Sequence, residues 1–165
     1  TNTIKNSDDE YDTLYTYGAR SFTIWDTNGL VVFDSGDEIA RITASVHGES
    51  FNNDEDVNEG DTRSDAKGAE PEALALGKID DRMYAFIGLE RMGGIMIYDI
   101  TNPYRAEFVD YFFNRGTVED EDITGDLAPE GMKFISADKS LTNTPLLVVG
   151  NEISGSVAIW QVMPK

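Results

Sequence analysis

Cysteine is absent from this 165-residue chain, and histidine occurs once, as His47. Without cysteine the chain has neither disulfide bonds nor thiolate chemistry, and a zinc site is disfavoured because zinc is held mainly by cysteine and histidine. We expect His47 to be a solvated residue in the turn before Gly48. Long apolar runs are also missing, so no segment is expected to span a membrane as a helix, which takes roughly 20 apolar residues.

Basic residues are scarce, since 13 lysines and arginines stand against 31 aspartates and glutamates, for a formal charge of −18. A nucleic-acid binder needs clustered lysine and arginine to contact the phosphate backbone, so this class of protein is excluded. Docking on anionic membranes is disfavoured for the same reason. The charge is compatible with divalent-cation binding, or simply with a strongly solvated surface.

A repeated unit organises the sequence. Residues 61–103 contain an acidic entry, a Pro-Glu pair and three short apolar segments separated by turn residues, and residues 127–162 repeat that order. Gly88 of the first copy aligns with Gly150 of the second, 62 positions later in the sequence. A partial third copy of the unit begins at Ser21. Units of roughly 60 residues with about four strands are typical of β-propeller blades. We therefore predict an all-β fold, a propeller fragment of about two and a half four-stranded blades.

The repeat also predicts the segment boundaries. Residues 38–46 fit a short helix or connector, although an edge strand fits as well. Residues 106–113 are either the first strand of one blade or the outer strand of the preceding one. In chain order we predict an entry segment at residues 1–16, a partial blade with its connector at 17–46 and an acidic loop at 47–70. A blade with the start of the next follows at 71–113, and a final blade at 114–165.

The number of blades raises the question of how the fold is completed. Propellers close with at least about four blades, so two and a half blades leave sheet faces and strand edges open. Open edges and apolar faces promote aggregation of a lone chain. We therefore expect the remaining blades to come from another polypeptide that packs against this one.

The acidic loop contains a candidate calcium site. Asp54, Asp56 and Asn58 stand two residues apart, which is the spacing by which a tight loop directs alternate side-chain oxygens to one calcium ion. An EF-hand loop has glycine at its sixth position, whereas Glu59 stands there and Gly60 follows it. The alternative interpretation is a solvated acidic loop with no ion.

The two Pro-Glu pairs are a second source of candidate ligands. They end at Glu72 and Glu130, and each pair follows an acid-rich loop, so the repeat brings carboxylates to the same place in successive blades. Glu90 and Glu152, in the aligned Gly-x-Glu segments, are further candidates. The alternative is that each of these glutamates caps a turn or accepts a hydrogen bond from the backbone of a neighbouring blade.

Several blocks of the sequence resemble one known family. They are RSDAKGAEPE at residues 63–72, YAFIGLERMGGIMIYD at 84–99, APEGMKF at 128–134 and LLVVGNE at 146–152. These blocks are similar to the choice-of-anchor I domain proteins, exported bacterial β-propellers related to the phytase-like group, some of them labelled alkaline phosphatase-like. The resemblance implies that this chain is the C-terminal part of a larger, seven-bladed propeller, located outside the cell or in the periplasm.

The resemblance also implies calcium. Phytase-like propellers hold calcium with carboxylates near the central channel, and the glutamate of a Pro-Glu-Gly motif matches such a ligand. Glu72 and Glu130 are the positions that fit this motif, but Ala73 replaces the glycine in the first copy, so Glu130 is the closer match. Activity does not follow from a shared fold.

The sequence is compatible with two functions from different classes. One is a calcium-bound extracellular propeller that acts as a binding or structural module. The other is a calcium-dependent phosphoester hydrolase, whose site the missing blades would complete and in which Arg63, Lys67 or Arg91 would stabilise the transition state. The hydrolase requires Arg63 or Arg91 to face the site without a carboxylate partner, whereas the module does not.

Overall fold

The computed structural model describes residues 5–13, 17–18, 20–118 and 121–163. The predicted entry segment, residues 1–16, therefore lies partly outside the described residues. Nine strands form three antiparallel sheets in the described part of the chain. The strands and the one α-helix there are β1 Thr23–Trp25, β2 Val31–Asp34, α1 Glu38–His47, β3 Pro71–Ile79, β4 Arg82–Leu89, β5 Ile95–Asp99, β6 Glu107–Phe112, β7 Pro129–Ile135, β8 Leu146–Asn151 and β9 Ser156–Gln161.

The sheets follow the order of the chain, as consecutive strands of a propeller blade do. A hairpin of β1 and β2 comes first, a central blade has the order β3-β4-β5-β6, and a last blade has the order β7-β8-β9. The nearly all-β architecture confirms the predicted fold class. The last blade has three strands rather than the predicted four within the described residues, so β9 is an edge strand. Strand β6 is the outer strand of the central blade, which decides the alternative left open for residues 106–113.

The segment that fitted either a helix or an edge strand is a helix. Its buried residues, Ile39 and Thr43, stand four apart and so lie on one face of the helix, while Val46 is exposed. Ile39 packs into a core cluster with Leu89 and Tyr98 of the central blade, and Phe22 of the first hairpin lies edge-on to the Tyr98 ring. Packing against the sheet therefore selects the helix.

The environment of His47 differs from the expectation of a solvated turn residue. His47 is the last residue of α1 and is half-buried, with its Nε2 atom 3.0 Å from the hydroxyl oxygen of Tyr111. Its ring also lies 4.6 Å from that of Phe113, measured between centroids. Burial and the nearby charge of Arg115 lower the pKa of His47 to about 4, so the imidazole is neutral at neutral pH. The contact with a strand 64 residues away was not predictable from the sequence.

The central and last blades pack face to face through aromatic and aliphatic side chains. The rings of Phe86 and Phe134 are stacked with centroids 5.7 Å apart, and Phe112 lies edge-on to Trp160 at 5.1 Å. Leu147 and Val149 of β8 are buried in the same cluster. Strands β3 and β7 pack against each other more extensively than any other pair of strands from the two blades, and near their beginnings Ala73 and Pro129 both approach Gly88.

Glycine at Gly88 permits this close approach. A Cβ atom at Gly88 would lie 2.9 Å from the Cβ of Ala73 and 3.0 Å from the ring of Pro129, closer than carbon atoms normally approach. The aligned Gly150 of the last blade has open space instead, because the nearest atom to its Cβ position is a carbonyl oxygen 3.8 Å away. The same repeat position is therefore crowded in one blade and free in the other.

Replacing each of these two glycines by alanine tests the blade interface. We expect Gly88→Ala to lower the free energy of unfolding by about 1–3 kcal/mol, because the added methyl group overpacks the contact with Pro129. The matched variant Gly150→Ala should change it by less than about 0.5 kcal/mol. Urea unfolding of both variants measures the difference, and equal losses would contradict the described packing.

Candidate metal centre

Carboxylates from the central and last blades converge on one place. Oxygen atoms of Glu70, Glu72 and Glu90 lie within 4.8 Å of one another, and the same limit holds for Glu90, Glu130 and Glu152. Glu90 belongs to both groups and links them. The structure thus joins four glutamates that the sequence analysis selected and adds Glu70.

The repeat explains how the strands position these side chains. Glu72 and Glu130 are the second residues of β3 and β7, and in both strands the pairing register shifts at this residue. Such a bulge redirects the side chain away from the regular alternation of a strand. Glu90 and Glu152 directly follow β4 and β8, the strands that pair with β3 and β7. Each blade therefore presents two glutamates at the same end of its first two strands.

Backbone hydrogen bonds hold both copies in the same conformation. The amide of Glu90 donates to the carbonyl of Glu70, and the amide of Glu152 donates to the carbonyl of Ala128, both at 2.8 Å. Glu70 and Ala128 occupy equivalent places before the prolines and share a left-handed backbone, with φ of 53° and 61°. The fifth carboxylate is thus present in the first copy alone, because alanine replaces it in the second.

Glu70 is the member of the cluster whose negative charge is balanced by cationic side chains. It is 3% exposed, and its carboxylate contacts Arg63, Lys67 at 2.5 Å and Arg91 at 3.3 Å. Burial opposes ionisation, but hydrogen bonds from Lys67 and Arg63 outweigh it and lower the pKa of Glu70. The glutamate therefore remains charged and fastens the acidic loop to the central blade.

Glu90 has the opposite electrostatic environment. It is 6% exposed, and burial together with a hydrogen bond to Glu72 raises its pKa to about 8, although Arg91 lies 3.0 Å away. Glu130 and Glu152 are exposed, and no ion pair neutralises either of them within the part of the chain that the structure describes. Negative charge is therefore poorly compensated on the side of the cluster that faces the last blade.

The acidic loop is arranged differently from its predicted pattern. Carboxylate oxygens of Asp54, Glu55 and Asp56 lie within 4.8 Å of one another. The side-chain oxygen of Asn58 instead accepts hydrogen bonds from Asn53 and Arg115, both at 3.3 Å. Asp54 and Asp56 are thus brought together, whereas the Asn58 oxygen is occupied by protein donors. An ion at these three residues stays a prediction.

The cationic side chains near the cluster are ion-paired. Arg63 contacts Glu70 and lies 3.7 Å from Asp54, while Arg91 contacts Glu55, Glu70 and Glu90. The hydrolase hypothesis required one of these two arginines to lack a carboxylate partner, and neither meets that requirement. Their arrangement favours a structural role for both.

Glu70 and Glu55 are the residues of this region that sequence reasoning missed. Glu70 directly precedes the Pro-Glu pair, but it has no acidic counterpart in the second copy, so the repeat did not point to it. Glu55 falls between the alternate positions that suggested a calcium loop. The two arginines beside acidic motifs were the available signal, since an arginine near acids commonly forms ion pairs.

Comparison with known proteins agrees with the resemblance seen in the sequence. The family model described as the choice-of-anchor I domain matches residues 1–103, more than half of the chain. The chain belongs to the choice-of-anchor I domain family. This choice-of-anchor I chain is also 30% identical over 169 residues to Gigasin-3a from Magallana gigas, an alignment that covers 94% of this chain and 60% of the relative. It thus spans 60% of the length of that relative.

Solved structures and the helices of this chain add no further functional information. No solved structure matches this choice-of-anchor I chain. In the described residues, no helix has both the length and the apolar character needed to cross a membrane. The geometry of the cluster therefore carries the functional argument.

Removing the charge of Glu70 tests its role in the fold. We expect Glu70→Gln to lower the free energy of unfolding by about 2 kcal/mol, because it removes the buried charge that three partly exposed cations share. The control Glu107→Gln, which breaks an exposed pair with Arg105, should cost less than about 0.5 kcal/mol. Urea unfolding at neutral pH compares them, and a loss at Glu70 no larger than the control would contradict the network.

The raised pKa of Glu90 predicts how stability depends on pH when divalent cations are removed. Between the ordinary value of 4.5 and about 8, the folded chain binds more protons at Glu90 than the unfolded chain does. The contribution of Glu90 to the free energy of unfolding should therefore fall as pH rises through this window, by about 1 kcal/mol per pH unit. The lowered pKa of His47 acts in the opposite direction up to about pH 6.5 and is common to both variants, so the difference between their slopes reports Glu90. Unfolding with a chelator present, from pH 5 to pH 8, should show a shallower slope for Glu90→Gln than for Glu107→Gln. Identical slopes would refute the assignment.

Proposed function

We propose that this chain is a calcium-binding part of an exported β-propeller that acts as a binding or structural module. The observation that carries the proposal is the convergence of Glu72 and Glu90 from the central blade with Glu130 and Glu152 from the last blade. A cation between them would join two blades that are otherwise held by apolar packing. Its structural effect would be to fix the relative position of β3 and β7.

The chemistry of the donors supports calcium in preference to other metals. All of the converging groups are carboxylates, which are hard oxygen ligands, and calcium accepts 6 to 8 oxygen atoms in flexible geometry. Zinc and copper prefer nitrogen or sulfur ligands, but the chain has no cysteine and His47 bonds Tyr111. Magnesium demands near-octahedral geometry and is the closest competitor.

The electrostatics support a cation of charge two. Without an ion, the buried Glu90 shares a hydrogen bond with Glu72, which requires a proton on one of the two carboxylates. A divalent cation would replace that proton and offset the repulsion among the remaining carboxylates. The described arrangement therefore favours an ion more strongly as pH rises.

A binding or structural role is favoured over hydrolysis by the state of the two arginines. A phosphoester hydrolase needs a cationic group directed at the transferred phosphate. Arg63 and Arg91 are ion-paired with Glu70, and Arg91 also pairs with Glu55 and Glu90, so neither is available for that purpose. The calcium-dependent hydrolase is therefore the less supported function.

Export outside the cell or to the periplasm is part of the proposal. It rests on the family membership and on the acidic composition, with a formal charge of −18. Extracellular calcium modules bind their ions with dissociation constants of about 0.1 to 1 mM, because calcium is abundant there. A site built largely from exposed carboxylates suits that range.

Calcium titration of thermal stability tests the proposed function. At about a hundredfold excess over the dissociation constant, binding to the folded chain adds about 2.7 kcal/mol, which should raise Tm by several degrees. Glu130→Gln and Glu152→Gln should each reduce this rise, while the control Glu107→Gln should keep it. Magnesium should give a smaller rise than calcium at equal concentration. Equal Tm in chelator and in calcium would reject the proposal.

A further inference from the structure

We infer that the ammonium group of Lys67 takes the place of a divalent cation in one half of the carboxylate cluster, so that the cluster admits an external cation only in its other half. The first half, here called the first triad, is Glu70, Glu72 and Glu90, and the other half, here called the second triad, is Glu90, Glu130 and Glu152. The assignment of a cation to the second triad rests on the proposed function, whereas the role of Lys67 rests on contacts within the first triad.

The placement of the oxygen atoms does not distinguish the two triads. In each triad, one carboxylate oxygen from every glutamate lies within 4.8 Å of those of the other two. Such distances suit calcium, which binds several oxygen atoms at about 2.3–2.6 Å. By this criterion alone the cluster would hold two ions. The triads differ instead in the cationic side chains that the chain itself supplies.

Both carboxylate oxygens of Glu70 already have cationic partners. The Oε1 atom contacts Arg63 and lies 3.3 Å from the Nε atom of Arg91. The Oε2 atom lies 2.5 Å from the Nζ atom of Lys67. A metal ion that used Glu70 as a ligand would therefore have to displace one of these three cations.

Lys67 is the cation of the three that a metal ion could displace most easily. Its side chain is 39% exposed, whereas those of Arg63 and Arg91 are 21% and 20% exposed. The two arginines also contact Asp54 and Glu55, so they fasten the acidic loop as well as Glu70. Exclusion of a metal ion from the first triad is therefore assigned to the ammonium group of Lys67.

The charge of Lys67 acts on the whole first triad. The hydrogen bond to Glu70 raises the pKa of Lys67, and the charges of Glu70, Glu72 and Glu90 act in the same direction. The ammonium group is thus close enough to all three carboxylates to offset part of their repulsion. A divalent cation placed there would be repelled by Lys67, because like charges a few ångströms apart interact strongly at a protein surface.

The second copy of the repeat lacks all of these cations. Counting from the aligned Pro-Glu pairs and Gly-x-Glu segments, the positions of Arg63, Lys67 and Arg91 are occupied by Glu121, Gly125 and Ile153. Alanine likewise replaces Glu70 at Ala128. The buried glutamate and its cationic partners therefore occur together in the first copy and are replaced together in the second. The second triad is left with carboxylates that only an external cation can neutralise.

Replacing Lys67 by methionine tests its role. Methionine keeps an apolar stem of similar length and removes the charge, so the first triad becomes open to calcium. We expect Lys67→Met to bind one calcium ion more per chain than the wild type. Equilibrium dialysis against about 10 mM calcium, roughly tenfold above the dissociation constants of extracellular calcium modules, measures both numbers. An ion in the acidic loop does not affect the difference, because the arginines that contact this loop are unchanged.

Matched variants separate this effect from general electrostatics. Lys67→Arg keeps the positive charge and should bind the same number of ions as the wild type. Lys78→Met changes the net charge equally, but Lys78 lies six residues beyond Glu72 on β3, about 20 Å away, so it should bind no extra ion. Adding Glu72→Gln to Lys67→Met should remove the extra ion, because it removes a ligand of the first triad.

A cation introduced into the second triad provides an independent test. Ile153 is 48% exposed and stands at the position of Arg91, so Ile153→Arg puts a positive charge next to Glu152 without disturbing the core. We expect it to raise the calcium dissociation constant of the second triad by at least about tenfold. The uncharged control Ile153→Gln should change this constant less than about twofold. Circular dichroism verifies that each variant is folded.

The outcomes distinguish this role of Lys67 from the proposed function. Equal, non-zero calcium numbers for the wild type and Lys67→Met would overturn the inference and leave the proposed function intact. An extra ion that survives Glu72→Gln, or an unchanged constant in Ile153→Arg, would also overturn it. Calcium bound by Lys67→Met but not by the wild type would reject the proposed function and keep the role of Lys67. No calcium in either protein would reject both.

Discussion

The packing of β3 against β7 is the contact on which the rest of this structure depends. It brings the first residues of two blades together, and those residues are the Pro-Glu pairs that carry Glu72 and Glu130. The contact is possible because Gly88 leaves room for Pro129. Apolar packing and the placement of the carboxylates are therefore consequences of one interface, and a change that separates the blades also disperses the cluster.

The electrostatics of the cluster divide along the same interface. On the central-blade side, Glu70 is buried with three cationic partners, and its negative charge is offset. On the last-blade side, alanine replaces this glutamate, and Glu130 and Glu152 are exposed carboxylates. Glu90 lies between the two halves, and burial together with its hydrogen bond to Glu72 raises its pKa. One half of the cluster is thus neutralised by ion pairs, while the carboxylates of the other half face solvent.

The sequence predicted the parts of this molecule that repeat. Spacing between aligned glycines and Pro-Glu pairs was enough to predict the blades and four of the converging glutamates, because equivalent strands repeat equivalent positions. It left the blade to which residues 106–113 belong undecided. The contacts that occur once were not predictable. Glu70 has no acidic counterpart, His47 meets Tyr111 across 64 residues, and Asn58 turns to Arg115 of a later loop. Such long-range contacts produce no repeated pattern in a single sequence, so they cannot be predicted from it.

The repeat also explains why the exposed half of the cluster lies where it does. In the central blade, Glu90 is buried because the last blade stands over Gly88 and delivers Pro129 and Glu130 to it. In the last blade, no other blade covers Gly150 among the described residues, and Glu152, the counterpart of Glu90, is exposed. Burial of each glutamate therefore depends on the blade that follows it. The carboxylate cluster is therefore a feature of the interface between the two blades rather than of one loop.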